Sequence, residues 1–314
     1  MKLLVVGAGG QVGEKITRLA IAQGHEVYGT YKSRVPVVDG ISKSYALDKT
    51  SKDQVSKVVE DANPDVLIDT GALHNVDYCE SHPEEAMAVN RDGTAYLSAA
   101  CNEIGGKFIF VSTDFVFDGQ NAPYTEEDKP NPLSVYARSK LEGERAALSA
   151  NKNTAVCRPA VIYSWVPLSN TGSSSSSGKP LNFGAWLVSQ LFANKEVKIV
   201  RDQITSPTLA DDLAGAILAI AKSSATGVFH TAGATPLSRY DFSVKVANSL
   251  GLNSSLIQPI DSSQLKQLAK RPLNSSLISN RIRDKVRYNM LSVDEALRIF
   301  AEQSRSSEVE IRAR

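Results

Sequence analysis

A short apolar run that breaks at once into glycines constrains this chain more than any other stretch: Lys2–Val6, then Gly7-Ala8-Gly9-Gly10-Gln11-Val12-Gly13. Behind it Ile16, Leu19, Ala20 and Ile21 recur at helical spacing, so the glycines occupy a strand-to-helix turn. A dinucleotide site needs that context. Gly7 permits the tight turn, Gly10 lets a pyrophosphate approach the backbone, and Gly13 allows close packing of helix on strand. The helix N-terminus supplies amide donors for the phosphates. Gly7, Gly10, Gln11 and Val12 are therefore assigned to a cofactor.

The residues after the second strand, Glu26–Thr30, bear on which cofactor. An NAD-type site places an acid there to hold the ribose hydroxyls. This chain has Tyr31, Lys32, Ser33 and Arg34 instead, and two cations can pair with a 2′-phosphate. NADPH is expected, with NADH as the alternative, and Tyr31, Lys32 and Arg34 as its contacts. Asp48, past a third strand near Tyr45, is expected to reach the adenine edge. Asn63-Pro64-Asp65 turns into the strand Val66–Ile68. Thr70–Ala72 and Leu73–Asp77 should line the cofactor cleft, with Ala72 and Leu73 touching the cofactor and His74 a weaker candidate. Pro83–Ile104 reads as a helix, with Asn90 inside it to bond a strand kink or order a water.

The chemistry centres on Ser112–Glu144. A buried strand, Lys107–Val111, ends at the hydroxyls of Ser112 and Thr113. Tyr136 and Lys140 then lie four apart, on one face of a helix. An ammonium so placed can stabilise a phenolate and lower a tyrosine pKa that is otherwise about 10, giving a proton donor near neutral pH.

Composition narrows the classes. Of 314 residues, 42% are hydrophobic and 22% charged, which predicts a soluble globular protein with ample core. A net charge of +1 without a basic run argues against nucleic acid. No apolar stretch approaches the roughly 18 residues of a membrane span, and the N-terminus does not read as a signal peptide. Cys79, Cys101 and Cys157 lack ligand spacing and the four histidines are scattered, so no metal is expected. The cytoplasm is the default compartment.

Past Lys140 the helix should run to about Ala150, before a strand at Thr154–Cys157 that ends at Arg158. Beyond it the strand–helix alternation weakens. Ser169–Gly178 reads as a flexible loop, either a lid over the sugar nucleotide or a passive linker. A helix over 181–193, a strand at Val197–Val200 and a helix at Leu213–Ala221 capped by Asp211 and Asp212 follow. Gly227–Thr231 is a strand, and Tyr240–Leu250 and Ser292–Phe300 are helices. Residues 304–314 are a polar tail.

Taken together, these motifs resemble the extended short-chain dehydrogenase/reductase superfamily, and within it the dTDP-4-dehydrorhamnose reductase family. The resemblance is carried by GAGGQVG (7–13), NVDYCES (75–81), STDFVFDG (112–119), YARSK with LEGE (136–144), RPAVIY (158–163), DQITSPT (202–208) and RPLNSSL (271–277). It implies an α/β fold: a doubly wound parallel sheet of Rossmann type with a small C-terminal α/β substrate lobe. Residues 1–160 would form the NADP-binding part, with about 185–235 partly returning to it, and 161–303 mainly the lobe. Thr113, Tyr136 and Lys140 would be catalytic, with Lys140 also holding the nicotinamide ribose. A nucleotide sugar would meet Val76, Asp114, Val116, Asn182, Arg271 and Asn274, and a homodimer is allowed. Val161 stands where the family's reductases carry a tryptophan, and Trp165 is not its positional match.

The chain is also similar to the regulatory beta subunit of methionine adenosyltransferase, through Lys32–Arg34 and PYTEED (123–128). Two alternatives to a reductase therefore stay open. One is a noncatalytic NADP-binding regulatory subunit; the other is a sugar-nucleotide epimerase or dehydratase. Phe115 weighs against the dehydratase, whose relatives carry an acid there for elimination.

Overall fold

Alternation in β1 (Lys2–Val6) sends Leu3 and Val5 to one face and Leu4 and Val6 to the other, and all four are buried. A strand apolar on both faces belongs inside a helix-covered parallel sheet, and it lies there. The structure is a computed structural model describing residues 1–165 and 182–312, with side chains to 306. The expected lid, Ser169–Gly178, lies outside the described residues.

After β1 come α1 (Gln11–Ala22), β2 (Glu26–Tyr31), β3 (Lys43–Ala46), α2 (Lys52–Ala62) and β4 (Val66–Asp69). α3 (Val76–Ser81) and α4 (Pro83–Met87) lead to a π-helical turn at Ala88–Asp92. α5 (Gly93–Glu103), β5 (Lys107–Val111), α6 (Val135–Ala150), β6 (Thr154–Arg158) and β7 (Ala160–Tyr163) follow. The later part holds α7 (Phe183–Phe192), β8 (Val197–Val200), β9 (Ile204–Thr205), β10 (Pro207–Leu209), α8 (Ala210–Lys222) and β11 (Gly227–His230). Then come β12 (Leu237–Ser238), α9 (Arg239–Ser249), β13 (Ile257–Ile260), α10 (Asn280–Val286) and α11 (Val293–Arg312).

Seven strands form one sheet in the order β11-β6-β5-β4-β1-β2-β3, every pairing parallel. The chain order reverses between β1 and β4. In an open α/β sheet the ligand crevice forms at the carboxyl ends of such a pair. Helices α1 and α8 cover one face, burying Ile16, Leu213 and Ile217 on Val5, Ile68 and Ile109. Helices α2, α5 and α6 cover the other, over Leu4, Leu67, Phe108 and Phe110. Each fully buried side chain of this size contributes roughly 1.5–3 kcal/mol. A separate core joins Tyr163, Leu187, Val197, Phe242 and Phe300.

Several elements differ from expectation. Within 185–235, α8 and β11 pack in the first core, as does α10 further on, whereas α7 and β8 pack in the second. Asp211 and Asp212 sit inside the first turn of α8 and do not cap it. They are bound elsewhere, Asp211 to Lys15 Nζ at 3.0 Å and Asp212 to the Tyr288 hydroxyl at 2.8 Å. The last helix runs past Phe300 to Arg312.

Candidate active site

At the end of β1, Gly7 has φ +78°, a region that strains an L side chain. A Cβ on Gly13 would lie 2.1 Å from the Gly7 carbonyl oxygen, so α1 meets the turn only because that position is glycine. Gly10 caps α1 without a side chain, and first-turn amides have no helical acceptor. This cradle fits the pyrophosphate of a dinucleotide.

Beyond β2, Lys32 and Arg34 are exposed. Lys32 Nζ lies 2.9 Å from Asp48 Oδ2, and the Thr50 hydroxyl donates to Asp48 Oδ1 at 2.8 Å. Asp48 is thus engaged by Lys32 and Thr50, and these contacts do not serve the expected adenine edge. At the other wall, Ala72 and Leu73 follow β4 and are half-buried. Asn90 projects from the π turn and holds Leu73 on both sides. Its Oδ1 accepts the Leu73 amide at 2.9 Å and its Nδ2 donates to the Leu73 carbonyl at 3.0 Å. The same nitrogen donates to Ser139 Oγ at 2.9 Å, tying the wall to α6. π bulges recur at functional sites because the extra residue re-aims a side chain.

β5 and α6 bring the chemistry together. The Thr113 hydroxyl donates to Asp114 Oδ1 at 3.1 Å and accepts the Phe115 amide at 3.2 Å, and it lies near enough to Tyr136 to act on its phenol. Burial pushes the Tyr136 phenol well above its usual range, with the Thr113 contact opposing. Lys140, 1% exposed, donates to the Val111 carbonyl at 2.7 Å and rests 3.9 Å above the Phe110 ring. Burial pushes it down to about 7, against the pull of Asp69. The expected lowering of the phenol by Lys140 is therefore corrected. The ammonium is turned into the sheet edge, and Tyr136 stays a neutral donor.

Behind them Glu144 accepts from Arg158 Nη2 at 2.6 Å, from Arg158 Nε at 2.9 Å and from the Ser112 hydroxyl. Asp114 is 2% exposed and accepts from Ser275 Oγ at 2.5 Å and Thr205 Oγ1 at 3.4 Å. Burial pushes its carboxyl up to about 6, with Ser275 and Thr113 opposing.

The expected substrate residues divide. Arg271 binds Asp77 with both fork nitrogens, at 3.0 and 2.9 Å, on the wall of a cavity of about 220 Å³. Phe183, Trp186, Lys198, Gln203 and Arg239 share that wall. Val76 opens α3 and is half-buried. Val116 needs correction: it is 0% exposed and packs with Phe117 and Leu141, so its side chain is core. Asn182 caps α7, accepting the Ala185 amide at 2.8 Å, and Asn274 accepts from the Ser276 hydroxyl at 2.7 Å. Both amides hold local backbone or a neighbouring turn. Trp165 packs edge-on to Phe300, in the second core. Val161 takes φ +38°, rare for a β-branched residue and a sign of local strain beside the site.

Sequence reasoning missed Arg239, Lys49 and Asp69. Arg239 lies over the Phe183 ring at 5.3 Å and acts on Asp114 through its charge. Its only sequence signal is its place after Ser238, which caps α9. Among the described residues, no group of His, Cys, Asp and Glu could hold a metal, and no helix is long and apolar enough to cross a membrane.

A family model described as RmlD substrate binding domain matches residues 1–306. The chain is 33% identical over 282 residues to the probable low-salt glycan biosynthesis reductase Agl14 of Haloferax volcanii, covering 89% of this chain and 91% of that one. It is 33% identical over 284 residues to a dTDP-4-dehydrorhamnose reductase of Mycobacterium tuberculosis, with 88% and 85% covered. A dTDP-4-dehydrorhamnose reductase of Bacillus anthracis, solved in complex with NADP, superposes with a TM-score of 0.80 at 25% identity, covering 96% of this chain and 100% of that one.

Proposed function

Since the chain belongs to the RmlD substrate binding domain family, we propose that it uses NADPH to reduce the 4-keto group of a nucleotide-linked 6-deoxy sugar, dTDP-4-dehydrorhamnose, giving dTDP-L-rhamnose. The observation that carries this is the nearness of the Thr113 side chain to the Tyr136 phenol, with Lys140 one turn on. The Gly7–Gly13 cradle and Arg34 would hold NADPH, which would supply the hydride equivalent. As the ketone is reduced, charge grows on its oxygen, and the two hydroxyls donate where that charge forms. Tyr136 yields the proton, which suits a phenol kept neutral by burial. Lys140 spends one of its three donors on Val111 and keeps the others for the ribose.

The cavity lined by Arg239, whose charge reaches Asp114 next to Thr113, suits the rest of the substrate. Phe183 and Trp186 offer aromatic faces to a base, and Arg271, Arg239 and Lys198 offer charge to a diphosphate. Asp77 fixes the Arg271 fork in advance. Three buried free thiols, Cys79, Cys101 and Cys157, accord with the cytoplasm as the compartment. A homodimer, to be tested by sedimentation, completes the reading.

The test is NADPH oxidation by purified protein with dTDP-4-dehydrorhamnose. Consumption of cofactor in step with sugar supports the reductase. Tight NADPH binding without turnover would favour the regulatory-subunit reading.

A further inference from the structure

Beneath the floor of the crevice lies a buried ion pair. Lys49, just past β3, is 7% exposed, and Asp69, the last residue of β4, is 0% exposed. Lys49 Nζ lies 2.5 Å from Asp69 Oδ2, 2.9 Å from the Gly71 carbonyl and 3.1 Å from Thr94 Oγ1. The Thr94 hydroxyl donates to the same carboxylate oxygen at 3.0 Å, and the Gly71 amide donates to the other at 3.0 Å. A buried pair of this kind is a poor stabiliser, since apolar replacements of similar volume are often neutral or better. Its position points to another role.

Asp69 is in register with Phe110 across the β4–β5 ladder, and such partners face the same side of a sheet. On that side the Lys140 ammonium rests on the Phe110 ring. The charged groups that act on Lys140 are Asp69 and Lys49 from the strand side and Glu144 from its own helix. Glu144 is already tied to Arg158 and Ser112. Asp69 is therefore the carboxylate on the strand side of Lys140, and Lys49 is what masks it.

We propose that Lys49 and Asp69 are positioning residues that set the charge on Lys140. Asp69 supports the ammonium, and Lys49 holds that support in check. The inference rests on reading Lys140 as the cation that serves the cofactor. An unmasked Asp69 would draw Lys140 off the Val111 carbonyl into a fixed ion pair. Masked, it leaves Lys140 able to gain and lose its proton near neutrality, in line with the burial that pushes it down to about 7.

The test needs neither cofactor nor substrate. Lysine labelled with ¹³C at Cε is titrated by NMR in the native protein, Lys49→Met, Asp69→Asn and the double variant, with Lys140→Met assigning the signal. Lys49→Met should raise the Lys140 midpoint and Asp69→Asn should lower it, each by about one pH unit. The double variant should stay near native. Midpoints that do not move, or that move in the same direction in both single variants, would overturn the proposal, because a merely structural pair gives no opposed shifts. Should Lys49→Met fail to fold, Asp69→Asn still carries the sign, since the amide oxygen keeps the Gly71 contact. Titration of NADPH fluorescence across pH in the same proteins should follow the NMR midpoints. A protein that binds no NADPH would contradict the cofactor reading, while the lysine titration would still decide this inference.

Discussion

Lys32 Nζ lies 2.9 Å from Asp48 Oδ2, so the first of the two cations after β2 already has a carboxylate. The charge offered to a 2′-phosphate falls chiefly to Arg34, which is exposed. Arg34→Ala should weaken NADPH by roughly 1.5–3 kcal/mol and leave NADH unchanged. Lys32→Ala should cost under about 1 kcal/mol, as an exposed pair does. Fluorescence titration of both cofactors checks this, and identical curves for the two in the unaltered protein would refute it.

Glu144 and Arg158 are 2% and 3% exposed and share two hydrogen bonds, at 2.9 and 2.6 Å. Arg158 Nη1 has no acceptor, so Glu144 is the main compensation for a guanidinium in the core. Glu144→Ala should therefore destabilise the fold by roughly 3–5 kcal/mol. Urea unfolding without cofactor measures it, and a loss below about 1 kcal/mol would show that Arg158 finds solvent or another partner.

Much of this arrangement could be read from the chain, and the reason differs from part to part. The turn at Gly7–Gly13 and the pair Tyr136/Lys140 announce themselves through local spacing, which fixes direction within a strand–turn–helix or on one helix face. Asn90 is expected inside a helix to bond a strand kink or order a water; it lies in a π turn and holds Leu73, in the loop after β4, through both amide atoms. The Lys49–Asp69 pair left no such trace. Its partners come from the ends of β3 and β4 and from α5, and a lone lysine reads by default as surface. Val116 failed for the opposite reason, since a motif gives position along the chain but not which way a side chain turns. Likewise, the tyrosine–lysine spacing shows that the two groups are close, but not that the Val111 carbonyl claims the ammonium.

His230 is 0% exposed, its Nδ1 is 3.2 Å from the Ile278 carbonyl, and its ring stands edge-on to Phe117. Burial, helped by the charge on Arg158, pushes it down to about 3. The folded value lies below the ordinary one, so its contribution to stability is present above about pH 6.5 and is lost as pH falls toward 3. Linkage over that interval amounts to about 5 kcal/mol at most. Stability measured from pH 7 to 4 should fall less steeply in His230→Gln than in the native protein, whereas parallel curves would mean that His230 charges without cost.

The central claim is that Tyr136 and Thr113 act on the C4 oxygen of a keto sugar while NADPH reduces the carbon. The direct measurement is a single turnover with NADPH deuterated at nicotinamide C4 and dTDP-4-dehydrorhamnose, comparing native protein with Tyr136→Phe. The label should appear at C4 of the sugar in the native reaction. The variant should bind NADPH nearly normally and transfer the label about 10²–10⁴-fold more slowly. Label absent from C4, or equal transfer rates in the two proteins, would contradict the account.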